Sequence, residues 1–238
     1  MERLQKVIAN RGYTSRRKAE ELILEGQVIV DGVVIKELGT KIPEDADIVI
    51  NNKHLYREEK EYFLLNKPRG YISAVSDDKD RKVIIDLIDT KSRIFPVGRL
   101  DYDTTGLIIL TNDGDLANIL MHPKNKVEKV YLAKIEGNLT MDELFKLKNG
   151  VNIEGTMCKP TRVKIKKSDK VKENDLVEVT IEEGRNHIIK KLFMEVNHEV
   201  TKLTRLRYGF LEIDNLKSGD YRYLTTDEVR KLYAYKRK

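Results

Sequence analysis

One cysteine, Cys158, stands in a chain of 238 residues, so neither an internal disulfide framework nor a Cys-Cys zinc motif is available. Histidine is scarce too: His54, His122, His187 and His198 are scattered and, even with Cys158, make no recognisable metal set. The longest unbroken apolar runs, such as Leu107-Ile108-Ile109-Leu110, fall far short of the roughly 20 residues that span a bilayer. Met1-Glu2-Arg3-Leu4-Gln5-Lys6 has no apolar core behind its charges, so no secretory signal is read and the cytosol is the expected compartment. No internal repeat and no low-complexity segment is apparent. Acidic residues are outnumbered: 39 Asp plus Glu against 45 Lys plus Arg leave a net charge of +6, which favours a polyanionic partner. With 40% hydrophobic and 35% charged residues the chain has material for real cores under a densely ionic surface, which excludes disorder and collagen-like structure. The length allows one large domain or two unequal ones, and two are expected.

Residues 1–60 read as a compact unit. Leu4, Val7 and Ile8 recur at helical spacing with Gly12 to end the turn, and Ser15 can N-cap a second helix bearing Ala19, Leu22 and Ile23 that stops at Gly26. Val28-Ile29-Val30, Asp31-Gly32 and Val33-Val34-Ile35 spell a hairpin, because Asp-Gly supplies the positive φ angles of a two-residue turn. Ile48-Val49-Ile50 adds a strand, and the charged, aperiodic Tyr56–Glu61 is the expected linker. From residue 61 to 238 strands are expected at Phe63–Lys67, Gly106–Thr111, Lys129–Ile135, Thr161–Lys166, Leu176–Glu182 and Leu203–Phe210. Helices come between them: Asp115 is read as the cap of Leu116–Met121, Thr140 with Glu143 and Thr225 with Glu228 form capping boxes, and Asn186 is read as the cap of a helix carrying Ile188, Ile189, Leu192, Phe193 and Val196. This irregular order points to an α+β fold around a mainly antiparallel sheet.

Charge in the first unit is polarised. Arg3, Lys6, Arg11, Arg16, Arg17 and Lys18 follow one another with no acid among them, whereas from Ala19 to Lys60 five basic residues face ten acidic ones. Arg16 and Arg17 sit just past a helix cap, where the macrodipole disfavours cations, and a docked phosphate would reverse that penalty. A solvated charged face is the alternative. In the second unit Gly98-Arg99-Leu100-Asp101-Tyr102-Asp103-Thr104-Thr105-Gly106 places carboxylates in a glycine-flanked loop ahead of a strongly apolar strand. Asp101 and Asp103 together could hold a divalent ion, or one Asp could act alone beside a basic partner, or the segment is simply an Asp-rich turn.

Two resemblances bear on these alternatives. Leu4-Gln5-Lys6-Val7-Ile8-Ala9, Ser15-Arg16-Arg17-Lys18-Ala19 and Gly26-Gln27-Val28-Ile29-Val30-Asp31-Gly32 resemble the small RNA-binding domain named after ribosomal protein S-four, which sets paired helices and their basic residues on structured RNA. Asn66-Lys67-Pro68-Arg69-Gly70, Gly98-Arg99-Leu100-Asp101, Glu128-Lys129-Val130-Tyr131, Glu183-Gly184-Arg185-Asn186 and Arg207-Tyr208-Gly209, in that order, resemble the pseudouridine synthases that modify single sites in ribosomal RNA, nearest the large-subunit pseudouridine synthase B group. The resemblance implies a mainly antiparallel mixed-sheet catalytic domain with no cofactor and no metal, acting as a monomer on ribosomal RNA or an assembling particle. It implies Asp101 as nucleophile, Tyr131 as the aromatic that stacks on the target uracil, and Arg185 as the ion-pair partner of Asp101. Besides the basic residues of the first unit, it implies RNA contacts for Lys67, Arg99, Asn186, His187, Lys190, Lys191, Arg205 and Arg207.

Relatives usually continue Gly-Arg-Asn with Arg, Gln, Val, Arg, Arg, whereas this chain reads His187-Ile188-Ile189-Lys190-Lys191. Apolar helical spacing survives, but Lys replaces Arg where a bidentate phosphate contact was available. A ribosome-assembly factor that only binds RNA is the rival reading, and a two-carboxylate nuclease is the third. An acid amid so much basic surface argues against the first of these.

Overall fold

The computed structural model describes residues 1–237. The chain forms two compact units, one of Met1–Glu61 with Thr90–Ile94 and Asn112–Gly114, the other of Tyr62–Asp89, Phe95–Thr111 and the residues from Asp115 onward. Among the described residues no helix is long and apolar enough to cross a membrane.

In the first unit α1 (Leu4–Asn10) and α2 (Arg16–Leu24) pack on a small antiparallel sheet of β1 (Val28–Val30), β2 (Val33–Ile35), β3 (Ile48–Ile50) and β4 (Lys53–His54), in the order β2-β1-β3-β4. Ser15 caps α2 as its sequence position suggests, accepting the Lys18 N–H at 3.2 Å. Asp31 and Gly32 both take positive φ in the β1–β2 turn, which pairs Val30 with Val33. Leu4, Val7 and Ile8 from α1, Leu22 and Ile23 from α2, and Val28, Ile48 and Ile50 from the sheet are buried together.

The second unit is built on a sheet whose path runs β8-β9-β7-β10-β6-β5-β11. Its strands are β5 (Tyr62–Lys67), β6 (Thr105–Thr111), β7 (Lys129–Glu136), β8 (Arg162–Asp169), β9 (Asn174–Ile181), β10 (Val200–Tyr208) and β11 (Tyr221–Tyr223). Every pairing along this path is antiparallel except β6 with β10, so the sheet is mixed. Leu107, Ile108, Ile109 and Leu110 are all fully buried, because β6 is covered on both faces; this is why its sequence is a continuous apolar run and not an alternation. Helices α3 (Gly114–Met121), α4 (Met141–Asn149), α5 (Ile188–Met194) and α6 (Thr226–Tyr233) flank it, α4 and α6 with complete capping boxes.

Two cap expectations need correction. Helix α3 begins at Gly114, which puts Asp115 inside its first turn, where a carboxylate suits the helix dipole without being the cap. At α5 the N-cap is His187, not Asn186; it sits in the left-handed region at φ 54° and its side chain caps nothing, leaving the imidazole free to face elsewhere.

The parallel pairing is short and tight, with Thr105 opposite Thr204 and Gly106 opposite Arg205. Gly106 adopts φ +109°, and a Cβ there would stand 2.7 Å from the Arg205 nitrogen and closer still to its carbonyl oxygen. Only glycine tolerates both the angle and the approach. Gly106→Ala should therefore destabilise the protein by about 2 to 3 kcal/mol, read as a lower urea midpoint; an unchanged midpoint would show that the two strands can part without cost.

Candidate active site

Three segments reach the same place because the sheet order brings their strands side by side. The β7 register sets Tyr131 opposite Arg205 of β10, and the β6–β10 pairing sets Arg205 opposite Gly106, at the end of the loop that carries Asp101. Between them lies a cavity lined by Arg99, Asp101, Thr104, Lys129, Tyr131 and Arg205, closed on a further side by Gly184, Arg185, His187 and Ile188 at the start of α5.

The loop is pinned from below by a buried cation. Strand alternation in β5 puts Phe63, Leu65 and Lys67 on one face, and Lys67 is completely buried. Its ammonium donates to the carbonyls of Thr104 at 2.8 Å, Asp101 at 3.0 Å and Pro68 at 3.2 Å, which uses all three of its protons. Burial depresses its pKa to about 8 against the upward pull of Asp101 and Asp103. Ser73 adds a second tie, its Oγ donating to the Leu100 carbonyl at 2.8 Å and accepting the Leu100 N–H at 3.0 Å.

The Asp101 carboxylate faces α5. Its Oδ1 is 3.3 Å from His187 Nε2 and its Oδ2 3.4 Å from Lys190 Nζ, and Lys190 is held by Asp103 through contacts of 2.8 and 2.9 Å. Burial alone would depress Lys190, but Asp103 and Asp101 together carry it above the ordinary lysine value, while Lys190 holds Asp103 below the usual carboxylate range against its own burial. Lys190 thus occupies the space between the two carboxylates that a shared divalent ion would need. Among the described residues no group of three or more His, Cys, Asp or Glu is arranged to hold a metal ion.

Arg185 does not pair with Asp101. Its Nε donates to Glu183 and its Nη1 to the Ile153 carbonyl at 3.1 Å, while its Nη2 is buried without an acceptor. Glu183 also engages the buried Cys158 thiol, whose pKa burial and this neighbour push up to about 12. The cation deep in the cavity is Arg205: it donates from Nε to the Leu107 carbonyl at 2.7 Å and from Nη1 to Tyr131 Oη at 3.4 Å, and its guanidinium carbon lies 5.1 Å from the Tyr208 ring centre. Its Nη2 is buried without an acceptor. Tyr131 itself is only 7% exposed and lines the cavity.

Several expected RNA contacts are corrected by burial. Arg11 donates to the carbonyls of Leu55, Glu44 and Ala46 and is a brace inside the first unit. Lys67 and Arg205 are buried as described, so none of these three can meet a phosphate at the surface. Arg207 lies outside the Asp101 cavity, in a separate concavity with Glu128 and Glu212 at 4.0 and 3.8 Å. Arg3, Lys6 and Arg16 line one concavity of the first unit together with Lys41, which the sequence did not single out; Arg17 and Lys18 are exposed beside it on α2, Lys18 bonded to Glu21 at 2.7 Å. Arg99 and Asn186 are exposed, and Lys191 reaches Glu154 at 2.6 Å. Lys129, also missed, donates to the Val127 and Glu182 carbonyls and is depressed to about 8 by burial and Arg205; strand alternation with Tyr131 was the signal that could have found it.

Residues 61–195 match the family model described as RNA pseudouridylate synthase, and residues 2–48 match the S4 domain. The chain belongs to the RNA pseudouridylate synthase family. It is 50% identical over 235 residues to the ribosomal large subunit pseudouridine synthase B of Bacillus subtilis, covering 98% of this chain and 96% of that one. A pseudouridine synthase of Aquifex aeolicus, named as uncharacterized, is 42% identical over 97% of this chain and 93% of its own. A crystal structure of a pseudouridylate synthase superposes with a TM-score of 0.70 at 30% identity, covering 98% of this chain and all of that one. Within this RNA pseudouridine synthase the cavity of Asp101, Tyr131 and Arg205 is the candidate active site.

The Lys67 anchor is testable through pH. An exposed lysine titrates near 10.4 and Lys67 in the fold near 8, so between those values the unfolded chain binds the additional proton and stability rises with pH. Lys129, shifted in the same direction, adds to the rise. Urea midpoints measured from pH 8 to 10 should climb less steeply in Lys67→Met than in the parent protein; parallel profiles would mean that Lys67 does not titrate in this window.

Proposed function

We propose that this enzyme isomerises a uridine to pseudouridine in ribosomal RNA of the large subunit, with Asp101 as the reacting carboxylate and with no cofactor, as a monomer in the cytosol. The ribosomal substrate is supported by the identity to the Bacillus subtilis enzyme across nearly the whole of both chains. The assignment of Asp101 is carried by one observation: it is the carboxylate in the wall of a cavity otherwise lined by cations, two tyrosines, a histidine, a threonine, glycines and apolar groups.

The reaction breaks the bond between ribose C1′ and uracil N1, turns the base and joins C1′ to C5, with the C5 proton lost and N1 protonated, so no redox change occurs. An ionised carboxylate can attack C1′ or assist removal of a ribose proton, and either step needs Asp101 as an anion. Lys190 supplies a cationic partner beside it, the part first read onto Arg185. Lys67 and Ser73 fix the loop backbone, so the carboxylate is held in place before substrate arrives. Tyr131 offers a flat face to the base and a hydroxyl tied to Arg205, suited to holding the detached uracil. The target must leave its stack to reach the cavity, and the basic groups around the mouth favour that polyanion. In the S4 domain the exposed Arg16 and Arg17 at the start of α2, with Arg3 and Lys41, form a phosphate-binding face.

Asp101→Asn keeps the shape and removes the charge. The purified variant should form no pseudouridine in a ribosomal RNA that the parent protein modifies, while its affinity for that RNA stays within a few fold. Full turnover by the variant would remove Asp101 from the chemistry.

A further inference from the structure

Tyr102 follows Asp101 directly, yet it points away from the cavity and is 55% exposed. It is nonetheless held firmly. The Gly70 N–H donates to the Tyr102 carbonyl at 2.9 Å, and the ring tip lies over Gly70, where a Cβ would come within 3.7 Å of its hydroxyl. The segment beneath is rigid in turn: Ile72 donates to Lys82, Ile84 donates back to Ile72, and Ser73 is tied twice to Leu100. Arg81 is coupled electrostatically to Tyr102, and on the neighbouring segment Arg69 is exposed and Lys82 lies 5.8 Å from the centre of the Tyr71 ring. Arg81 is itself bonded to Asp77 at 2.9 and 2.6 Å.

We propose that Tyr102 is a stacking platform for the single-stranded nucleotide next to the target uridine. The inference rests on reading the Asp101 cavity as the site of a uridine in RNA. Aromatic faces set among basic side chains are how proteins hold unpaired nucleotides, since every base offers a π face and the backbone needs cations. Tyr102 follows Asp101 directly and its ring is exposed outside the cavity, so a base resting on it is the neighbour of the one at Asp101. Stacking there would hold the strand open while the target lies in the cavity, and would make the enzyme sensitive to the stacking strength of that neighbouring base.

The test uses the full chain and a short RNA cut from the ribosomal segment in which the parent protein forms pseudouridine, with 2-aminopurine placed on either side of the target in turn. Binding should quench one of the two probes in the parent protein and in Tyr102→Phe, but not in Tyr102→Ala. The RNA concentration for half-saturation should rise about five- to a hundred-fold in Tyr102→Ala and be restored by Tyr102→Phe. Equal quenching and equal half-saturation in a Tyr102→Ala protein of unchanged melting temperature would overturn the platform alone. If the parent protein formed no pseudouridine in any RNA, the activity and the platform would fall together.

Discussion

The second domain depends on one close contact, the two-residue parallel pairing of Thr105 and Gly106 with Thr204 and Arg205 inside an otherwise antiparallel sheet. It joins the β5–β6 pair to the β7, β8, β9 and β10 ladder, and so it brings the Asp101 loop to Tyr131 and Arg205. The approach is possible because Gly106 carries no side chain, and a hydroxyl contact of 2.8 Å between Thr105 and Thr204 locks it alongside. The site is therefore assembled at a seam between two sheet halves, with its acid on one half and its aromatic and deep cation on the other.

Buried cations do the structural part of this arrangement. A lysine or arginine taken out of water is costly unless each donor finds an acceptor. Lys67 meets that condition in full with three backbone carbonyls, while Lys129 finds two and Arg11 finds three with its Nε left buried and unpaired; each ties together segments distant in sequence. Arg205 meets it only in part, with Nη2 left facing no acceptor, which leaves one donor for a group that enters the cavity. The same residue types thus hold the loop in the interior and stand exposed at the surface, and burial is what separates the two settings.

That separation marks the limit of what could be read from the residues alone. The two-domain layout, the S4-like helices, the hairpin at Asp31-Gly32, the six main strands and the two capping boxes were legible because each is a local pattern of period, turn or cap. Both lining the same cavity, Asp101 and Tyr131 were singled out from motif order. The partner of Asp101 was not: Arg185, four residues beyond Ile181 of β9, is drawn to the adjacent Glu183, while Lys190 one turn into α5 reaches Asp101. Distances across a fold are not written in sequence spacing. Lys67 and Arg205 were read as surface cations although Leu65 and Leu203, two residues before them on the same strand faces, placed them inward.

The central claim is that the Asp101 cavity converts a uridine of large-subunit ribosomal RNA. Pseudouridine mapping across all ribosomal RNA, in cells with the gene, without it and with it restored, tests this most directly. The account predicts that at least one large-subunit position loses pseudouridine on deletion and regains it on restoration, with small-subunit positions unchanged. Identical maps in all three strains would contradict it.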